Sequence, residues 1–414
     1  MFSKVKTGDL EVLEKNRYGG AENNNFLPYL QLLNWLKSEC VLMRSFLKLS
    51  RISKLKNNII RMKSLFLSVA VIVTTISLTC CNQKEVSSNN EVSQEVMEQI
   101  FEEVKTPFKQ GVVFQHPDTS KMIDSPTIFR KEEVWYMTYI VFDGQGYETW
   151  LAESQDLLQW ESKGKILSFT ENTWDANQKA GYVSLVNTEW GGDYSVEKYQ
   201  SQYWMSYLGG NSVGYESGIL KIGMANSNTL TDSKEWNTNN TPLLSPEDED
   251  VRWFENKTIY KSLVIRDNEK HTGHPFVMYY NAKGDTANYE SIGMAVSDDM
   301  LSWQRFGDNP VITRGNGICG DAQIAKFNDI YIMFYFGAFW KPGAFERFAC
   351  SYDLINWTDW EGEDLIAPSE PYDEKYAHKP WVIKWNGVVY HFYNAVGTEG
   401  RVLALATSKD LKND

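Results

Sequence analysis

Residues Tyr289 to Trp303 read YESIGMAVSDDMLSW. The stretch has three parts: an apolar strand from Ser291 to Val296, a polar turn at Ser297-Asp298-Asp299, and a tryptophan that pins the turn back. The pattern recurs. Glu148 to Trp160 reads ETWLAESQDLLQW, and Glu346 to Trp357 reads ERFACSYDLINW. A looser copy, KIGMANSNTLTDSKEW, spans Lys221 to Trp236, and LALATSKDL opens at Leu403. Self-similarity of this kind marks a repeat architecture, in which no single unit can bury its apolar face alone.

Two further strands precede each copy. They are DSPTIF (Asp124 to Phe129) and VWYMTYIVF (Val134 to Phe142), then GYVSLV (Gly181 to Val186) and QYWMSYLGG (Gln202 to Gly210). The third pair is KTIYKSLVI (Lys257 to Ile265) and PFVMYYNAKG (Pro275 to Gly284), the fourth DAQIAKF (Asp321 to Phe327) and IYIMFYFGAF (Ile330 to Phe339). KPWVIKW (Lys379 to Trp385) and VVYHFYNAVG (Val388 to Gly397) form the fifth. Short β-rich runs with turn residues between them, and no long helical period, predict an all-β fold. Five four-stranded repeats arranged radially predict a five-bladed β-propeller over residues 108–414. The last repeat is a strand short, so its closing strand is expected from GVVFQ (Gly111 to Gln115).

Composition narrows the function classes. The net charge of −13 conceals an asymmetry: residues 1–81 carry 12 Lys+Arg against 5 Asp+Glu, leaving 29 against 49 beyond them. A body that acidic disfavours nucleic acid, because phosphate binding requires Lys and Arg. Aromatics at 14% suit both strands and sugar-facing surfaces. Five cysteines do not make a disulfide framework; Cys319 and Cys350, the two in the repeat region, read as buried free thiols. Walker-type glycine loops, H-E-x-x-H, paired C-x-x-C and G-x-S-x-G motifs do not occur.

Met62 to Cys81, MKSLFLSVAVIVTTISLTCC, has a short basic start, an apolar run and terminal cysteines. It reads as a secretory signal peptide, too short to span a membrane comfortably. Its end resembles the lipobox of bacterial lipoproteins, which implies a lipid anchor at Cys81 or Cys80 and a place in the cell envelope. Residues 1–61 then stand ahead of an export signal, as expected of a mis-assigned gene start. Residues 82–107 are rich in Ser, Asn, Gln and Glu and read as a flexible tether with a helical turn near Val96 to Val104.

The recurring S-x-D-L-x-x-W turns, with an Asp opening the first repeat, resemble the furanosidase-type glycoside hydrolases of families 43, 32 and 117 and the mannoside-phosphorylase family 130. The resemblance covers Val112 to Leu411 and implies cleavage of oligosaccharides from plant or algal polysaccharides, exo-acting and inverting. Glycoside hydrolysis needs one group to protonate the leaving oxygen and a second to activate water or attack the sugar. Asp124 stands where these families place the base; the plainer reading is an Asx-type turn ahead of Pro126. Asp321 matches a second acid that tunes pKa or holds the sugar, or else is a loop-end Asp. His378 matches the histidine acid of family 117, the closest of these in its acid–base pattern, and a histidine donates a proton near neutrality. Tyr182, Trp340 and Trp381, with Trp253 and Tyr260, are candidate sugar platforms, although most such residues in a Trp-rich chain are core. Lys261 is a candidate for pairing with Asp124 or Asp321, or for binding an acidic sugar. His274 is a candidate hydroxyl ligand and reserve proton donor. Glu290 recurs with Glu148 and Glu346, which points to a structural part, with Glu290 the one best placed to face the substrate. No cofactor is required; related propellers carry a cation on their axis, which leaves a divalent ion there as an expectation. Two alternatives stand beside the hydrolase: a mannoside-type phosphorylase and a non-catalytic sugar-binding propeller.

Overall fold

The computed structural model describes residues 90–412, except 233–235 and 287–288. The expected extension, signal peptide and lipid-bearing cysteines lie outside the described residues.

The described chain opens with helix α1 (Gln94–Val104), capped by the Ser93 side chain, which accepts from the Val96 N–H at 3.4 Å. This corrects the tether expected over 82–107. Met97, Ile100 and Val104 fall on one helical face and are buried, against Ile332, Phe334, Phe348 and Val389 among others. Glu103 pairs with Lys384, and the Trp190 indole donates to Glu103 at 2.8 Å.

Twenty strands follow, in five antiparallel units. The first is β2 (Met122–Lys131), β3 (Val134–Phe142), β4 (Tyr147–Ser154) and β5 (Glu161–Leu167). The second is β6 (Gln178–Val183), β7 (Tyr203–Gly210), β8 (Lys221–Ser227) and β9 (Asn237–Thr238). The third comprises β10 (Thr258–Arg266), β11 (Phe276–Lys283), β12 (Glu290–Ser297) and β13 (Trp303–Arg305). The fourth comprises β14 (Ile318–Phe327), β15 (Ile330–Ala338), β16 (Ala344–Ser351) and β17 (Thr358–Asp359). A single parallel bridge, Glu290 to Ile318, joins these two. The fifth unit runs β18 (Tyr376–Trp385), β19 (Val388–Gly397), β20 (Gly400–Thr407), and its outer strand is β1 (Phe108–Phe114). β1 pairs antiparallel with β20, Phe108 opposite Thr407 and Phe114 opposite Leu403, so the borrowed strand is found where the sequence places it. Neighbouring units touch in cyclic order: β4 on β6, β6 on β10, β10 on β14, β14 on β18 and β18 on β2.

The repeated turn explains its own spelling. In the third unit the Asp299 and Met300 N–H groups donate to Ser297 Oγ at 3.1 and 2.9 Å. Asp299 Oδ1 accepts from the Leu301 and Ser302 N–H groups at 2.9 and 2.7 Å, and the Trp303 indole donates to the Met300 carbonyl at 3.0 Å. Met300 takes φ 66°, which turns its side chain into the core; Leu157 (φ 69°) and Leu354 (φ 64°) do the same. The Trp160 and Trp357 indoles donate to the Leu157 and Leu354 carbonyls at 3.2 Å in both cases. Asp299→Ala leaves two turn N–H groups without an acceptor and is expected to lower stability by about 1–2 kcal/mol. Urea unfolding reads this directly, and an unmoved midpoint would assign the turn to the tryptophan alone.

The first strand of four units carries a bulge, and a non-glycine residue in left-handed backbone sits in each: Ser125 (φ 38°), Lys261 (φ 26°), Asp321 (φ 56°) and Lys379 (φ 64°). Such conformations cost free energy and persist where surrounding structure holds them, as at functional sites.

Candidate active site

The four bulges bring their side chains to one place. A cavity of about 350 Å3 is lined by Glu216, Tyr260, Glu290, Asp321, His378 and Arg401, among others. An adjoining recess, lined by Asp124, Ser125, Tyr182 and Lys261, shares Glu216, Tyr260, Asp321 and Lys379 with it.

Asp124 is buried and held from three sides. Its Oδ2 meets Lys379 Nζ at 2.9 Å and the Arg401 guanidinium, and its Oδ1 accepts from the Ser125 N–H at 3.0 Å. Burial alone would raise its pKa, but Lys379 and Arg401 outweigh that and hold the carboxyl well below the usual range. Ser125 links the two aspartates: its N–H also donates to Asn394 Oδ1 at 2.7 Å, and its hydroxyl donates to Asp321 Oδ2 at 2.8 Å. Asn281 grips Asp321 twice at 2.8 Å, donating to Oδ1 and accepting from its N–H. Lys261 Nζ lies 4.0 Å from Asp321 and 4.3 Å from the Tyr182 ring centroid. Burial and nearby Lys379 push its pKa down to about 8, against the pull of Asp321 and Asp124.

His378 also reaches the cavity. Its Nδ1 donates to the Asn394 carbonyl at 3.0 Å, which leaves Nε2 as an acceptor. Burial, then Arg401 and Lys379, push its pKa down to about 3. A neutral imidazole in that setting has no second proton to give near neutrality, contrary to the acid role expected from sequence.

The group that does hold a proton is one the sequence reading passed over. Glu216 is raised above the ordinary carboxyl range, first by burial and then by Glu290 and Asp124, with Lys379 and Arg401 opposing. It sits in Gly214-Tyr215-Glu216-Ser217-Gly218, a loop with Gly214 at φ 119° and Gly218 at φ 74°. The Gln178 side chain ties this loop by donating to the Ser212 and Gly214 carbonyls at 2.9 and 2.7 Å. A carboxylate between two glycines was the available signal. Glu290 opens β12 in the same cavity and meets Lys283 Nζ at 3.0 Å.

The other expectations fall elsewhere. His274 is at the surface against Asp298, at 3.1 Å, because it precedes β11 at the strand's outer end rather than an inner strand. Trp381 lies beyond the β18 bulge, which reverses the side-chain alternation, and it packs in the core beside Gln323 and Ile324. Trp340 stacks over Gly317 and Gly337, where an added Cβ would meet its ring at 2.4 and 2.3 Å, so its face is already covered. Trp253 is exposed and outside the cavity. Tyr182 lines the recess beneath Lys261, whereas Tyr260 lines the cavity itself. Glu148 pairs with Lys165 at 2.7 Å, and Glu346 and His391 meet at 3.5 Å in the core.

A divalent cation does not suit these donors. Among the described residues no three His, Cys, Asp or Glu side chains gather as a ligand set, and Asp124 and Asp321 already face Lys379, Arg401 and Lys261. No protein-family model matches the sequence, and no curated protein matches it. Among solved structures, one named "Glycoside hydrolase" is 47% identical over 78% of this chain and 97% of its own, with a TM-score of 0.75. The chain belongs to the glycoside hydrolases. A structure of BT0996 named as a complex with RGII matches this glycoside hydrolase to the same extent. More distant is Zg3597, a family 117 glycoside hydrolase of the marine bacterium Zobellia galactanivorans, at 13% identity over 76% of this chain and 93% of its own, with a TM-score of 0.53. A thermostable family-43 enzyme is 16% identical over 69% and 89%, with a TM-score of 0.52. These two speak to the fold, which is of the propeller type.

Proposed function

We propose that the five units are the blades of a five-bladed propeller and that the enzyme is an exo-acting, inverting hydrolase of oligosaccharides, with Glu216 as the general acid. The observation that carries this reading is the meeting, in one cavity, of a carboxyl raised in pKa with a carboxylate paired to lysine. Glu216 donates its proton to the departing glycosidic oxygen, and Glu290 activates water on the other side of the sugar. Asp124 and Asp321 bind and orient the sugar. With two cations on it, Asp124 is a weak proton acceptor, which argues against the base role suggested by its position. His378 accepts a sugar hydroxyl at Nε2. The enclosed recess supports exo action, since its buried walls leave no path for a chain to run through.

The relative named with RGII supports an oligosaccharide of that kind as substrate. Purified protein is incubated with RGII-derived oligosaccharides and a panel of plant and algal oligosaccharides, with and without phosphate. Release of one terminal monosaccharide, independent of phosphate, is expected; a phosphate requirement would make the enzyme a phosphorylase, and no release from any substrate would leave a binding protein. Proton NMR of the first-formed anomer tests inversion, and retention would make Glu290 the nucleophile. The Met62 to Cys81 sequence further supports a lipid-anchored protein of the bacterial envelope. Fatty-acid labelling in the host tests that, and a soluble, unlabelled product would overturn it.

A further inference from the structure

Phe339 is an apolar residue in a costly place. It follows β15 directly, adopts φ 72°, lines the cavity and remains 54% exposed. No ring pair or cation contact to it occurs among the described residues. Its neighbour Trp340 turns the other way, onto Gly317 and Gly337, so the left-handed backbone at 339 separates two consecutive aromatics. A non-glycine residue left of the ordinary φ range, presenting a bare ring to a cavity, is the kind of strain that persists where function requires it.

A second aromatic lines the same cavity. Tyr215 is 39% exposed, against 5% for Glu290 and His378 and 2% for Asp321, so both rings stand at the mouth while the charged groups stand deep. Tyr215 is held in place by Phe142 and Tyr147, whose ring centroids lie 5.6 and 5.5 Å away, and by Arg401 at 5.4 Å. It is also the residue before Glu216.

The geometry points to a leaving-group subsite formed by Phe339 and Tyr215, which takes the C–H face of the sugar ring on the far side of the scissile bond. The inference rests on Glu216 as the acid: the acid faces the glycosidic oxygen, so whatever lies outward of it meets the departing sugar. Aromatic rings cover the apolar face of a sugar without demanding particular hydroxyls, which makes this subsite a selector of ring presence and position.

The test is Phe339→Gly, beside Phe339→Tyr, on an RGII-derived oligosaccharide and on the glycosyl fluoride of the monosaccharide the wild type releases. Glycine relieves the left-handed backbone, so the melting temperature is expected to be equal or higher. KM for the oligosaccharide is expected to rise about tenfold, the scale of one lost aromatic contact, while kcat/KM for the fluoride stays within about twofold because it has no second ring. Phe339→Tyr should restore the oligosaccharide KM. An unchanged oligosaccharide KM, or equal losses on both substrates, would overturn the subsite. Glu216→Gln is assayed alongside: retained oligosaccharide turnover there, with the KM effect still present at Phe339, would sink the acid assignment and leave the subsite standing. If RGII material is not cleaved, the same comparison runs on the oligosaccharide that the panel identifies.

Discussion

Glu216→Gln is expected to lower oligosaccharide turnover by at least about a hundredfold, the usual worth of a positioned general acid. Glutamine keeps the shape and the loop but has no proton to give. The loss should be greatest for a sugar leaving group and nearly absent for a glycosyl fluoride, whose departing fluoride needs little protonation. The pH profile carries an independent sign. Burial, Glu290 and Asp124 raise the Glu216 pKa, so the wild type holds its proton to higher pH than an ordinary carboxyl and loses turnover as pH rises through that value. The variant should lack that basic limb. Equal rates for both proteins on the oligosaccharide would return the search to His378, the other proton-handling group of the cavity.

Asp124→Asn is expected to act first on stability. Lys379 and Arg401 are both largely buried, and each loses its counter-charge when the carboxylate goes. Breaking one side of a buried ion pair costs about 3–5 kcal/mol, and urea unfolding measures it. Asp124→Asn with Arg401→Gln should recover part of the loss, because one stranded cation is removed with the anion. The pH dependence agrees in sign: the folded-state pKa is depressed, so the contribution is present above the ordinary Asp range and fades as pH falls toward the folded value. A variant as stable as the wild type would show that water, rather than Asp124, compensates the two cations.

Much of this was legible. The S-x-D-L-x-x-W turns declared the units, because each letter makes a hydrogen bond or fills the core, and the missing strand of the last unit named its own replacement in β1. Asp124, Asp321 and His378 were found together since each opens an inner strand, and Lys261 was rightly set beside an aspartate. Trp381 was misplaced because a bulge shifts the alternation by one, and nothing in KPWVIKW announces it. Glu216 was missed because its loop follows no period: a side chain of another strand, Gln178, positions it. Helix α1 was underestimated because its apolar face is only three or four residues wide within a polar stretch.

The pairing of β1 with β20 also sets a timetable for the newborn chain. Phe108 and Thr407 are partners at opposite ends of the described sequence, so this ladder cannot form until almost every residue has been synthesised. Until then the fifth sheet has an open edge, a template for stray strand pairing. Contacts this distant along the chain also slow folding. Ring completion is therefore the final event of maturation, and the recess that Lys379 and Arg401 build with Asp124 comes into being only at that moment.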